Sequence, residues 1–125
     1  MLIFSEMTLT GYKFDSLQEI IPFAEDKNGE TVGWAKNLST TFNCYIQIGF
    51  PELLDENYYN SIAFISPLSD TPVVTYQKHF LFEDDLKWAS EGKGFLSMQI
   101  DALPKVMIDC LIHRSHTNIL TNSLF

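Results

Sequence analysis

The apolar positions of this chain fall in short runs whose period changes along its length. Leu2-Ile3-Phe4 reads as a strand stub. Ser16-Leu17-Gln18-Glu19 has capping-box spacing, a hydroxyl followed three residues later by a carboxylate, and predicts a short helix that Pro22 soon ends. The polar residues 26–30, with Asn28-Gly29 among them, predict a loop. From Thr31 onward Trp34, Leu38 and Phe42 recur every four residues, which predicts an amphipathic helix with these three side chains in the core. Cys44-Tyr45-Ile46-Gln47-Ile48-Gly49-Phe50 is rich in strand formers and follows directly, with Cys44 expected inside the strand and the core. Residues 61–65 and 73–76 predict two more strands, joined by a hairpin-type turn at Ser66-Pro67-Leu68-Ser69-Asp70. Helix-to-strand alternation followed by a hairpin predicts an α/β fold with a sheet of mixed direction.

Composition narrows this picture. At 125 residues and 46% apolar the chain has the make-up of one globular domain with a modest core. Its 8 basic and 16 acidic residues give a net charge of −8, which argues against nucleic-acid and anionic-membrane partners, since both need positive potential. No window approaches a membrane span, and Met1-Leu2-Ile3-Phe4 is too short and uncharged for a secretory signal. Cys44 and Cys110 form neither a disulfide framework nor a zinc spacing, so a reduced intracellular (cytoplasmic) compartment is expected.

Two ionisable residues stand out by position. Glu6, in Phe4-Ser5-Glu6-Met7-Thr8-Leu9-Thr10-Gly11-Tyr12, and Lys78, in Tyr76-Gln77-Lys78-His79-Phe80-Leu81, each follow a short apolar run where a strand hands over to a loop. Taken singly, each reads as a solvated surface residue. Together, a carboxylate and an ammonium delivered in this way are two of the three groups that thiol-dependent amide hydrolysis needs.

These blocks carry a resemblance. The chain resembles the nitrilase (carbon–nitrogen hydrolase) superfamily, and within it the N-terminal amidase branch of fungi. The Glu6 block is similar to the family's first catalytic block, and Ile48-Gly49-Phe50-Pro51 to a strand end. Tyr59-Asn60-Ser61, the Lys78 block, and Trp88 with Glu91-Gly92 follow in the family's order. No block is specific alone, but their order and spacing from residue 2 to about residue 95 are. Ser5 stands where the family usually has proline, which loosens the placement of Glu6 without removing its chemistry. Lys105-Val106-Met107-Ile108 leads on to Cys110 one position earlier than the family's nucleophile, without the preceding glycine and with Ile112 where an aspartate is expected.

The resemblance implies a partial α-β-β-α sandwich, truncated at both ends: residues 1–104 as an incomplete domain and 105–125 as a divergent tail. Its helices, carrying Leu17 and Trp34, would flank one face of the sheet, leaving apolar strand residues exposed on the other. Glu6 and Lys78 would lie at neighbouring strand ends on one cleft. The resemblance further implies Glu6 as general base, Lys78 at the oxyanion, Cys110 as nucleophile, Asp85 (or Glu83) as a second carboxylate, and Tyr12 and Asn60 toward the substrate. No metal or organic cofactor is implied. The substrate would be the N-terminal Asn or Gln of a protein or peptide. Alternatives are a hydrolase of small amides, or a truncated product without activity.

Overall fold

A computed structural model of the chain describes residues 1–68, 72–98 and 106–108. Four strands make one sheet in the spatial order β1 (Leu2–Ile3), β2 (Ile46–Leu54), β3 (Asn57–Ile65) and β4 (Val74–Gln77). β1 runs parallel to β2, while β2–β3 and β3–β4 are antiparallel, so the sheet is mixed as the sequence predicts. The crossover from β1 to β2 contains the one-turn helix α1 (Leu17–Ile20), a 3-10 turn with Pro22 at Ile21–Phe23, and the long helix α2 (Glu30–Phe42). A separate antiparallel pair joins β5 (Leu96–Met98) to β6 (Val106–Ile108).

Strand alternation sorts the core onto two faces. Ile46, Ile48 and Phe50 of β2, with Ala63 and Ile65 of β3, pack against Val32 and Ala35 of α2. On the opposite face Ile62, Phe64 and Tyr76 pack with Tyr45, Leu96 and Met98. A third cluster joins Met7, Phe14, Ile20 and Trp88 to Tyr12, Leu17 and Tyr58. Tyr58 shares its parity on β3 with Ile62, so α1 lies on the side opposite α2. Two expectations are thereby corrected: the helices do not flank one face, and the second face does not expose its apolar residues. The segment after β1, the Trp88 region and β5 lie over it, and Ile62, Phe64 and Tyr76 are all buried.

Helix α2 departs from the predicted stripe. Thr31, Val32, Ala35 and Ser39 are buried, whereas Trp34 is 41% and Phe42 66% exposed, and Leu38 packs only partly against the core. Small side chains at 35 and 39 let the helix approach the large strand residues beneath it, which turns the two aromatics outward. The Trp34 ring meets Phe4 edge-on, with centroids 5.6 Å apart. The capping box is also displaced. The Ser16 hydroxyl makes no cap bond, and the Glu19 carboxylate instead accepts the backbone N–H of Asp15 at 2.9 Å. The start of α2 is capped from outside, where both Glu25 carboxylate oxygens accept the Thr31 N–H at 3.0 and 3.1 Å, an anion at the positive end of a helix dipole. At its other end Asn43 takes the left-handed conformation (φ 48°), and the Ser39 hydroxyl donates to the Cys44 carbonyl. Cys44 is consequently half-buried and precedes β2 rather than lying in it.

Candidate active site

Glu6 reaches the site by a loop that leaves the sheet. After β1 the Phe4 N–H still bonds to the Gln47 carbonyl, and the chain then turns over the face opposite α2. The turn closes with the Gly11 N–H donating to the Met7 carbonyl at 2.9 Å; Met7 (φ 53°) and Gly11 (φ 80°) are both left-handed. The Thr8 hydroxyl donates to the Ser5 carbonyl, tying down the position where the family's proline is missing. Gly49 permits the crossing, because a Cβ there would lie 2.8 Å from the Met7 nitrogen and 3.0 Å from the Glu6 Cα. Met7, 1% exposed, fastens the loop into the third cluster.

Lys78 follows directly on β4, and its backbone N–H bonds to the Asn60 carbonyl at 2.8 Å. Its ammonium lies between two carboxylates, 2.8 Å from Glu6 Oε1 and 2.7 Å from Asp85 Oδ2. The Asn60 amide nitrogen donates to both acids, to Glu6 Oε1 at 2.5 Å and to Asp85 Oδ1 at 2.9 Å. Asp85 Oδ2 also accepts the Phe82 backbone N–H at 3.0 Å, which holds the 3-10 turn Asp85–Lys87 beneath the site. The Gly92 N–H bonds to the Lys78 carbonyl at 2.9 Å, and the Ser90 N–H to the Tyr58 carbonyl at 2.7 Å, strapping the Trp88 segment to β3 and to the end of β4. The Tyr12 ring centroid is 6.0 Å from Lys78 Nζ, at cation–π range.

Four of the predicted residues, Glu6, Lys78, Asp85 and Asn60, thus form one hydrogen-bonded cluster, and Tyr12 borders it. Glu83 is exposed, so of the two acids considered only Asp85 enters. The expectation of neighbouring strand ends is corrected. β1 and β4 are the outer strands of the sheet, and the Glu6 loop crosses the two strands between them to reach Lys78. Cys110 lies outside the described residues. Among the described residues no His/Cys/Asp/Glu grouping could hold a metal ion. Also among them, no helix is long and apolar enough to cross a membrane.

Burial separates the two carboxylates. The Glu6 side chain is 21% exposed, those of Lys78 and Asp85 3% and 2%. With Lys78 as the cation the trio carries one net negative charge, and Glu6 alone opens outward. Such an arrangement can exchange a proton with a bound group through Glu6 while holding positive charge beside it.

A carboxylate–ammonium–carboxylate cluster in an α/β domain is chemistry that a hydrolase can use. The sequence model of the carbon-nitrogen hydrolase family matches residues 1–99, and the chain belongs to that family. It is 45% identical over 102 residues to the protein N-terminal amidase of Schizosaccharomyces pombe, covering 76% of this chain and 35% of that protein. It is 35% identical over 104 residues to the protein N-terminal amidase of Saccharomyces cerevisiae, covering 80% of this chain and 22% of that one. A crystal structure of an N-terminal amidase with an Asn-Glu peptide superposes with a TM-score of 0.73 at 28% identity, over 85% of this chain and 28% of the other. The chain therefore spans about a third or less of the length of these relatives.

Proposed function

We propose that this chain carries the base and the ammonium of an amidohydrolase site that converts N-terminal Asn or Gln of proteins or peptides to Asp or Glu. The observation that carries this reading is the Glu6–Lys78–Asp85 cluster, with one acid open and one sealed. The similarity to protein N-terminal amidases, one of them solved with an Asn-Glu peptide, supports the substrate class. A cytoplasmic location goes with it, as do residues 1–104 as part of the catalytic domain.

In the proposed mechanism Glu6 takes the proton of a cysteine thiol, and the thiolate attacks the side-chain carboxamide carbon. Lys78 balances the developing oxyanion as a compact point charge. The proton on Glu6 passes to the amide nitrogen, the C–N bond breaks, and ammonia leaves a thioester. Water then gives a proton to Glu6 and attacks the thioester, releasing the acid and restoring the thiol. One amide and one water thus yield one carboxylic acid and one ammonia, and no metal or organic cofactor takes part. Asp85 and Asn60 act as positioning residues, since both are buried against Lys78 and Glu6.

The resemblance assigns the nucleophile to Cys110. In sequence an acid, Asp109, precedes it, and no glycine stands before it to give the backbone freedom. The chain alone is therefore expected to release no ammonia from an Asn-starting peptide. Release that disappears in Cys110→Ala would overturn this expectation. The Glu–Lys half is tested by placing residues 1–98 of this chain in the Schizosaccharomyces pombe amidase in place of its matching segment. The chimera is expected to deamidate the peptide and to lose about 10²–10⁴-fold in kcat on Glu6→Gln. A folded chimera whose rate survives that substitution would sink the proposal.

A further inference from the structure

The same strands carry a second buried polar cluster, on the α2 side, that the proposed chemistry does not use. Glu52 of β2 is 1% exposed, and its Oε2 accepts the Ser61 hydroxyl at 2.7 Å and the Gln77 amide at 2.6 Å. Gln77 Nε2 lies 3.2 Å from Thr75 Oγ1 as well. Ser61 and Gln77 face each other in the β3–β4 register, so one carboxylate oxygen ties three strands together. Each of its two donors is the chain neighbour of a site residue: Asn60-Ser61 and Gln77-Lys78. Successive strand residues point to opposite faces, so what fixes Ser61 and Gln77 on the sealed face fixes Asn60 and Lys78 on the open one. A slip of one residue in the short β4 would exchange Gln77 and Lys78 between faces. Sealing a carboxylate from water is unfavourable unless its oxygens are bonded, so an apolar residue would fill this place at lower cost if filling were all that was needed.

We infer that Glu52 is a positioning residue for the site: by holding Ser61 and Gln77 it sets the register that delivers Asn60 and Lys78 to Glu6 and Asp85. The inference rests on Lys78 as the site ammonium, but its test does not depend on turnover. In the full chain, labelled with ¹⁵N-lysine, the buried Lys78 ammonium should give a slowly exchanging side-chain signal, assigned by its loss in Lys78→Arg. In Glu52→Leu this exchange is expected to accelerate about tenfold or more beyond the acceleration that the variant's lower overall stability gives the Ile48 amide in the middle of β2, as for a lost hydrogen bond to a charged group. Glu52→Gln, which retains an acceptor oxygen, should restore slow exchange. Should Glu52→Leu fail to fold, Ser61→Ala removes one donor and should give a smaller acceleration. Unchanged Lys78 exchange in a folded variant would overturn the inference. So would equal acceleration at Ile48, or a Glu52→Gln no better than Glu52→Leu. An inactive chimera beside a Glu52-dependent Lys78 signal would reject the amidase reading and leave this one standing.

Discussion

The two faces of β2, β3 and β4 each bury a carboxylate almost completely, and they satisfy it in opposite ways. Toward α2, Glu52 is met by a hydroxyl and an amide, both neutral. On the other face Asp85 is met by an ammonium, an amide and a backbone N–H, and a second acid stands beside it. Neutral donors suffice to stabilise one anion, and they leave nothing over. Two acids within reach of one ammonium require that cation, and they leave a net charge beside the single partly exposed group. The contrast separates a polar cluster that fixes a fold from one that can do chemistry, more clearly than burial does, since Glu52 and Asp85 are both 1% exposed.

Removing the central charged group from each face should expose the difference. Lys78→Met leaves Asp85 a buried charge without its counter-ion and facing Glu6, and is expected to lower unfolding stability by about 3–5 kcal/mol. Glu52→Leu removes the acceptor instead, leaving two neutral donors unmatched, and should lower it by about 1–3 kcal/mol. Urea denaturation of the two variants beside the parent gives both numbers. Equal losses would mean that the two faces are energetically alike and that the cation has no special place.

A smaller effect separates the loop from the strands. In Gly49→Ala the new methyl would press on the Met7 nitrogen and the Glu6 Cα, so the Glu6 loop must lift while the strands stay paired. Overpacking of this kind costs about 1–3 kcal/mol. In the chimera the same change should reduce kcat by more than it raises KM, because the displaced group is the base. A fall confined to KM would place the Glu6 loop in binding rather than chemistry.

Much of this arrangement is legible in the sequence, and the rest fails for identifiable reasons. The strands at Ile46, at residues 61–65 and at Val74 stand out because β-branched and aromatic residues crowd there. The extension of β2 through Pro51 and Glu52 does not, since proline and glutamate read as loop. Pro51 fits because its carbonyl accepts the Glu25 N–H, so its nitrogen faces that edge of the strand and not the β3 ladder. The turn Asp55-Glu56 also escapes notice. Both residues are left-handed (φ 49° and 63°), a primed hairpin turn without the Asn-Gly signal that usually marks one. The stripe of α2 misleads because three large side chains outweigh Ala35 and Ser39 in any hydrophobic pattern, although only small residues fit against the sheet. Glu6 and Lys78 are findable as charges at strand exits. Glu52 carries no such signal, because its donors lie 9 and 25 residues away in sequence.

The smallest expected effect concerns a third set of charges, on the outside of the same segments. Lys87, two residues beyond Asp85, holds Asp15 and Asp84, each at 2.8 Å, and so joins the segment after Glu6 to the turn beneath Lys78. The hydrogen bond from Lys87 pulls the Asp15 carboxyl below its ordinary value of 3.8, and the hydrogen bond to Asp15, with that to Asp84, raises Lys87 above 10.5. A depressed carboxyl pKa contributes stability that is present above the unfolded value and lost as pH falls through the folded one. A raised lysine contributes below its unfolded value and loses that contribution as pH rises through the folded one. The contribution of this pair should therefore be flat across neutral pH, fade below about pH 4 as Asp15 takes up its proton, and fade again only in strong alkali. Because these groups lie in water, salt screens them, unlike the buried trio. Asp15→Asn should leave Tm nearly unchanged at neutral pH, with any difference from the parent vanishing in about 1 M salt and below pH 4, whereas the deficit of Lys78→Met should persist in that salt. A salt-resistant loss in Asp15→Asn would show that the outer stitch holds the Glu6 loop as firmly as the inner one does.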